Sequence, residues 1–171
     1  NTADTATMNS MAKKYITDKE KQEQPYFLFV GSIEAHAPYI RDPDAVADFA
    51  TAHGVELDVS TNLDRDRSRR RAEWHSDALK QWGYDEMVHY TDRQLQDLIQ
   101  FLQTEGYDEH TTVMIVSDHG ELLGEFDMWG HLDMFVNPLF EVPLMILDPD
   151  LGSGDIPNIV SGLDVPPLLL D

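Results

Sequence analysis

Val113-Met-Ile-Val-Ser-Asp-His-Gly-Glu121 decides how this chain is read. Its first four residues are apolar and rich in β-branched side chains, which is the composition and length of a short buried strand. The run stops at Ser117-Asp118-His119-Gly120. In an open α/β sheet, ligands gather beyond the carboxyl ends of the strands. Asp118 and His119 therefore stand where chemistry is usually found. A carboxylate beside an imidazole offers a hard oxygen and a borderline nitrogen to a divalent cation. Gly120 permits the sharp turn that lets two adjacent side chains converge. The same residues would also make a plain strand-to-helix loop with Asp118 as N-cap, and taken alone they leave both readings open.

The next stretch, Glu121-Leu-Leu-Gly-Glu-Phe-Asp-Met-Trp-Gly-His131, adds two glycines, Trp129 and a second histidine. Upstream, Tyr26-Phe-Leu-Phe-Val-Gly-Ser-Ile33 is aromatic and β-branched and predicts another buried strand. It runs into Glu34-Ala-His-Ala-Pro-Tyr39, so a histidine again follows the end of a strand. By itself His36 is an ordinary loop residue. Between the two motifs, Met87, Val88, Thr91, Leu95, Leu98, Ile99 and Leu102 share one helical stripe, with Asp85, Glu86, Asp92, Arg93, Gln96 and Asp97 mostly opposite. Gly83 is expected to break an earlier segment, 72–82, from this helix, and Gly106 to stop it. Strand, helical crossover, strand is the logic of a parallel sheet.

In order and spacing these motifs resemble the sulfatase family of the alkaline-phosphatase-like superfamily. The resemblance rests on Ser117-Asp118-His119-Gly120-Glu121, on Leu123-Gly124-Glu125, on Trp129-Gly130-His131 and, upstream, on His36-Ala37-Pro38-Tyr39. Phe140-Glu-Val-Pro-Leu144 and Asp164-Val-Pro-Pro-Leu-Leu-Leu170 resemble later family elements, the second with leucine where threonine is usual. The resemblance implies an α/β fold: a mostly parallel sheet flanked by helices on both faces, present as an incomplete domain. Residues 1–171 would be its middle and later part, without the upstream metal and nucleophile segment and without a C-terminal subdomain. It implies a metal-dependent sulfuric ester hydrolase acting on a sulfate ester. A phosphodiesterase or phosphonate monoesterase of the same superfamily is one alternative, and a non-catalytic binding or assembly domain that kept the fold is another.

The site residues follow from the same resemblance. Asp118 and His119 would ligate a divalent metal, and His36 and His131 would reach the sulfate or the leaving oxygen. The family's metal is calcium. Because His119 brings a nitrogen where oxygen is commoner, Mn²⁺ and Mg²⁺ remain alternatives. His131 stands where many members carry lysine, and imidazole loses its charge near neutral pH. Activity of a complete enzyme is thus expected to fall as pH rises through that range. Glu121 and Glu125 read as supporting loop acids. The family nucleophile is a formylglycine made from Cys or Ser in a Cys/Ser-x-Pro-x-Arg element. This chain has no cysteine and no Ser-x-Pro-x-Arg, so no turnover is expected from it alone.

Composition adds bounds. With 12 basic and 32 acidic residues the formal net charge is −20, which repels nucleic acid and anionic membranes. The acids favour Asp, and Lys13, Lys14, Lys19, Lys21 and Lys80 are all the lysines there are. Such a surface suits high salt, where self-repulsion is screened. The arginine-rich run 65–71 reads as a helix start neutralising nearby aspartates. No run is long enough to span a membrane, and compartment, cytoplasmic or exported, is left open. The first residue is Asn1 and the last is Asp171, directly after three leucines, as expected of a piece cut from a longer protein. Its uncovered surfaces would favour pairing with a second copy or with a missing portion.

Near the start, Met8, Met11, Ala12, Tyr15 and Ile16 predict an amphipathic helix over 5–18. A short helix is expected at 43–53, a third strand at 144–147, and a helix start capped by Asp164.

Overall fold

The computed structural model describes residues 4–36, 39, 43–56, 77–131 and 134–169. The arginine-rich run 65–71, the segment 72–76 and Ala37-Pro38 of the upstream motif lie outside these residues. The chain forms two units, Asn1–Glu105 and Gly106–Asp171.

The first unit is built on three helices. In α1, Thr5–Glu20, Asp4 caps the first turn by accepting the N–H of Thr7 at 2.7 Å. Its buried face is Thr5, Asn9, Ala12 and Ile16. The expected methionine stripe is therefore rotated: Ala12 and Ile16 are inside, but Met11 is 64% exposed. Hydrogen bonding outweighs hydropathy here. Asn9 turns inward because its Nδ2 donates to the carbonyl of Gln94 at 2.5 Å, and Lys13 Nζ meets Asp97 Oδ2 at 2.6 Å on the rim. Both partners lie on α3, Asp77–Glu105.

The second helix, α2, Pro43–His53, spans the expected residues and packs on α3 through buried Ala45, Val46 and Phe49. The Phe49 ring meets Trp82 edge-on at 5.9 Å. Gly83 does not break α3, which runs through it from Asp77. Glycine in a helix interior costs about 1 kcal/mol relative to alanine, and burial of Met87 with the Phe49–Trp82 contact is enough to offset it. Glu86, expected on the outer face, is fully buried.

Residues 26–33 form no strand and pair with none among the described residues. Phe27 is 70% and Phe29 81% exposed. Composition made this stretch strand-like, whereas a buried strand also needs neighbours to take its backbone groups. Tyr26 does find a partner, the Tyr15 ring of α1, edge-on at 6.2 Å.

In the second unit Gly106, with φ +73°, ends α3 as expected, and a short 3-10 turn, Tyr107–His110, leads to β1, Val113–Val116. This strand pairs with β4, Leu144–Leu147, in the register Val113 to Leu147 and Val116 to Leu144. The pairing is antiparallel, so a mostly parallel sheet is not what the described residues show. Between β1 and β4 lie a small hairpin, β2 (Leu122–Leu123) with β3 (Trp129–Gly130), and α4, Asn137–Phe140. A four-residue helix is too short for the crossover that parallel neighbours require. The Thr112 hydroxyl donates to Asp148 where β1 and β4 begin and end. That bond, with the N–H groups of Asp150 and Leu151, holds the Asp148 carboxyl below its ordinary range.

At the end of the unit a 3-10 turn, Gly162–Asp164, runs into α5, Val165–Leu168. Asp164 is the N-cap of α5 as expected, without a side-chain bond into that helix, and Ser161 caps the 3-10 turn. The Ser161 hydroxyl accepts the Leu163 N–H, and the Asp164 carboxylate accepts the Ser161 N–H at 2.8 Å. No helix among the described residues is long and apolar enough to cross a membrane.

Candidate functional site

The turn after β1 is held by its own polar groups. Ser117 Oγ donates to the His119 carbonyl at 2.8 Å, and the His119 N–H donates to Asp118 Oδ1 at 2.9 Å. No helix follows, so Asp118 is not an N-cap. Its other oxygen, Oδ2, lies 3.9 Å from His119 Nε2. The imidazole is oriented from its far side, where Nδ1 is 2.9 Å from the Gly120 carbonyl. A carbonyl only accepts, so Nδ1 carries a hydrogen, and Nε2 is the ring nitrogen on the Asp118 side.

Gly120 makes this turn possible by closeness. A Cβ there would lie 1.9 Å from the Pro138 carbonyl oxygen, and the Gly120 N–H donates to the Leu139 carbonyl at 3.0 Å. The α4 turn therefore braces the Asp118–His119 loop. Pro138 and Leu139 were not singled out in the sequence, and the only local sign of them was a proline in a first helical turn.

The hairpin brings in the second histidine. Its tip needs left-handed backbone at Gly124 (φ +112°), and the Gly124 N–H bonds the Met128 carbonyl at 2.9 Å. Glu125 Oε2 accepts the Leu123 N–H at 2.7 Å, so it serves as a loop acid. With Leu122 paired to Gly130, His131 leaves β3 beside the start of the hairpin. Its ring stands 4.4 Å from that of His119, inclined by 42°. Glu121 Oε1 is buried, and a Cβ on Gly130 would come within 3.5 Å of it.

Asp118, His119 and His131 thus come together in one unit. The Asp118 side chain is 89% exposed and that of His119 41%, so both can be reached from outside. The donor set suits a divalent cation as a half-site. Its oxygen and nitrogen are separated as two ligands of one ion can be, and the second imidazole nitrogen is tied to a backbone carbonyl, as is usual for a ligating histidine. No group of three or more such side chains occurs among the described residues, so these two would need further ligands. His36 lies in the first unit. It is exposed, in a turn closed by its N–H to the Ile33 carbonyl at 3.0 Å.

The sulfatase family model matches residues 1–171. The chain belongs to the sulfatase family. It is similar to the choline-sulfatase of Rhizobium meliloti, 34% identical over 89 residues, which are 52% of this chain and 17% of that protein. It is also similar to a low-salt glycan biosynthesis sulfotransferase of Haloferax volcanii, 33% identical over 79 residues, 43% of this chain and 20% of the other. Bovine arylsulfatase K is 33% identical over 89 residues, 52% of this chain and 16% of that enzyme. This sulfatase chain thus matches at most a fifth of the length of these relatives. No solved structure matches it. Sulfatases are generally metal-dependent and use formylglycine, and the family carries the alkaline-phosphatase-like α/β fold.

Proposed function

We propose that this chain contributes part of the active site of a metal-dependent sulfuric ester hydrolase. The observation that carries the reading is the turn at Asp118 and His119, where a carboxylate oxygen and an imidazole nitrogen lie 3.9 Å apart with the His131 ring inclined alongside. Asp118 and His119 hold the cation, calcium first, with Mn²⁺ or Mg²⁺ as alternatives. When bound, that ion supplies Lewis-acid stabilisation to a sulfate oxygen and orients the ester. His131 stands next to this pair and donates a hydrogen bond to the leaving oxygen, where negative charge collects as the S–O bond breaks. His36 serves the sulfate oxygens. The formylglycine nucleophile comes from outside these residues, since neither Cys nor Ser-x-Pro-x-Arg occurs in them. The alkaline-phosphatase-like fold supplies the mostly parallel sheet against which the exposed stretch 26–33 is covered.

Two measurements on the full-length protein that contains this chain test the reading. The first is turnover of 4-nitrophenyl sulfate against bis(4-nitrophenyl) phosphate, with and without chelation. The second is calorimetric titration with Ca²⁺ and Mn²⁺ of the wild type and of Asp118→Ala. Sulfate ester hydrolysis that chelation abolishes, with weakened metal binding in the variant, is the expected result. Turnover of the phosphodiester alone would move the protein to the neighbouring chemistry, and unchanged metal binding in Asp118→Ala would remove the proposed ligand. The resemblance to a protein named a sulfotransferase favours one second reading, transfer of the sulfuryl group to a hydroxyl acceptor in place of water. Release of free sulfate without any sulfated acceptor counts against it.

A further inference from the structure

Glu34 is tied into the first turn of α1 more densely than the fold of that helix requires. Its Oε1 accepts the backbone N–H of Thr5 at 2.6 Å. Its Oε2 accepts the Ser32 hydroxyl at 2.6 Å and the Ile33 N–H at 3.1 Å. The Thr5 hydroxyl completes the ring by donating to Ser32 Oγ at 3.1 Å. Asp4 already caps α1, so the helix has its own local acceptor. What the long-range carboxylate adds is a fixed position for the turn of residues 33–36. That turn is closed by the His36 N–H on the Ile33 carbonyl. On the other side of His36, Tyr39 is buried and meets the Tyr84 ring of α3 edge-on at 5.9 Å. His36 thus hangs between two anchors, one on α1 and one on α3.

We propose that Glu34 is a positioning residue for His36, its carboxylate fastening the turn that carries the imidazole to the start of α1. The proposal rests on the reading above in which His36 serves the sulfate group. The positive end of the α1 dipole favours a charged carboxylate at this place. Burial opposes the charge, and the bonds from Ser32, Thr5 and nearby backbone N–H groups outweigh it, keeping the carboxyl below its ordinary range. Rigidity of this sort matters for catalysis because a displacement of about 1 Å can cost roughly a hundredfold in rate.

The test uses the full-length protein that contains this chain, with 4-nitrophenyl sulfate as probe, and compares Glu34→Ala, Glu34→Gln, His36→Ala and the double variant Glu34→Ala/His36→Ala. Glu34→Ala should lower kcat about tenfold or more with little change in KM, and Glu34→Gln, which keeps one acceptor oxygen, should fall between it and wild type. On the His36→Ala background the Glu34 change should cost nothing further, since a residue acting through another has no separate effect. Hydrogen exchange read by mass spectrometry should accelerate in peptides covering 32–36 in both Glu34 variants while those of α3 stay protected. Losses that multiply in the double variant, or unchanged exchange at 32–36, would overturn the role of Glu34 while leaving His36 in place. Full activity in His36→Ala would remove the catalytic role of His36 and the proposal with it.

Discussion

The α-carbon of Gly120 sits against the carbonyl oxygen of Pro138 so closely that a Cβ would lie 1.9 Å away. The neighbouring atoms are backbone, which cannot rotate aside as a side-chain tip can. A loop that carries two candidate metal ligands is thereby fixed to a turn that begins 17 residues later in the chain.

Gly120→Ala should therefore destabilise the second unit by about 1–3 kcal/mol through overpacking. Gly152→Ala is the control, because open space surrounds that glycine. Denaturant unfolding of both variants checks this. Equal midpoints for the two would mean that the loop moves away from α4 at little cost.

The hairpin offers a second check. Gly124 has φ +112° and the indole of Trp129 lies 3.5 Å from where its Cβ would be. Gly124→Ala is expected to cost about 1–3 kcal/mol in backbone strain and to loosen the β2–β3 pairing that sets His131 beside His119. Trp129 emission should shift toward that of a solvated indole. Trp82 and Trp74 also emit, so the experiment is read in a background where both are replaced by phenylalanine. A spectrum identical to that of the unaltered hairpin would disconnect the turn from the histidine.

Acid should act on Glu34 and Asp85 in opposite senses. The folded-state pKa of Glu34 is depressed, so its contribution is present above the unfolded value, about 4.3, and is lost as pH falls through the folded value. Burial raises the folded-state pKa of Asp85, with His53 opposing, so its charge becomes a cost as pH rises above about 4. Urea unfolding between pH 3 and pH 7 (range set by these values) should show a shallower acid loss in Glu34→Gln. Asp85→Asn should be more stable than wild type at neutral pH and indistinguishable from it in acid. A reversed order of the two variants would contradict both assignments.

Salt should stabilise the chain. At a net charge of −20, self-repulsion is strong at low ionic strength, and the screening length falls from about 10 Å at 0.1 M to about 3 Å at 1 M. Tm is expected to climb with KCl over that range. A flat response would leave the acidic surface without a high-salt role.

Much of the local structure was legible because it is decided within a few residues. The strand at Val113–Val116, though half-buried with Val116 exposed and not buried as expected, the helix at Pro43–His53 and the stop at Gly106 all follow from side-chain type and backbone preference. The candidate ligands Asp118 and His119 were legible for the same reason, since adjacent residues at the end of a strand can only be near each other. Where local rules failed, a distant partner had intervened. Asn9 went inside because the Gln94 carbonyl was there, and Gly83 stayed helical because Phe49 and Met87 hold that stretch.

By itself, then, the sequence determined the family, the short elements and the identity of the histidines and carboxylates, because motif order and residue chemistry are properties of a linear chain. Tertiary structure alone decided that β1 pairs antiparallel with β4, that the His131 ring comes to lie beside that of His119, and that Glu34 reaches across 29 residues to the N–H of Thr5. Those are meetings between residues far apart in sequence. They are selected by where unsatisfied backbone groups and apolar faces find partners in space, and no local pattern records that choice.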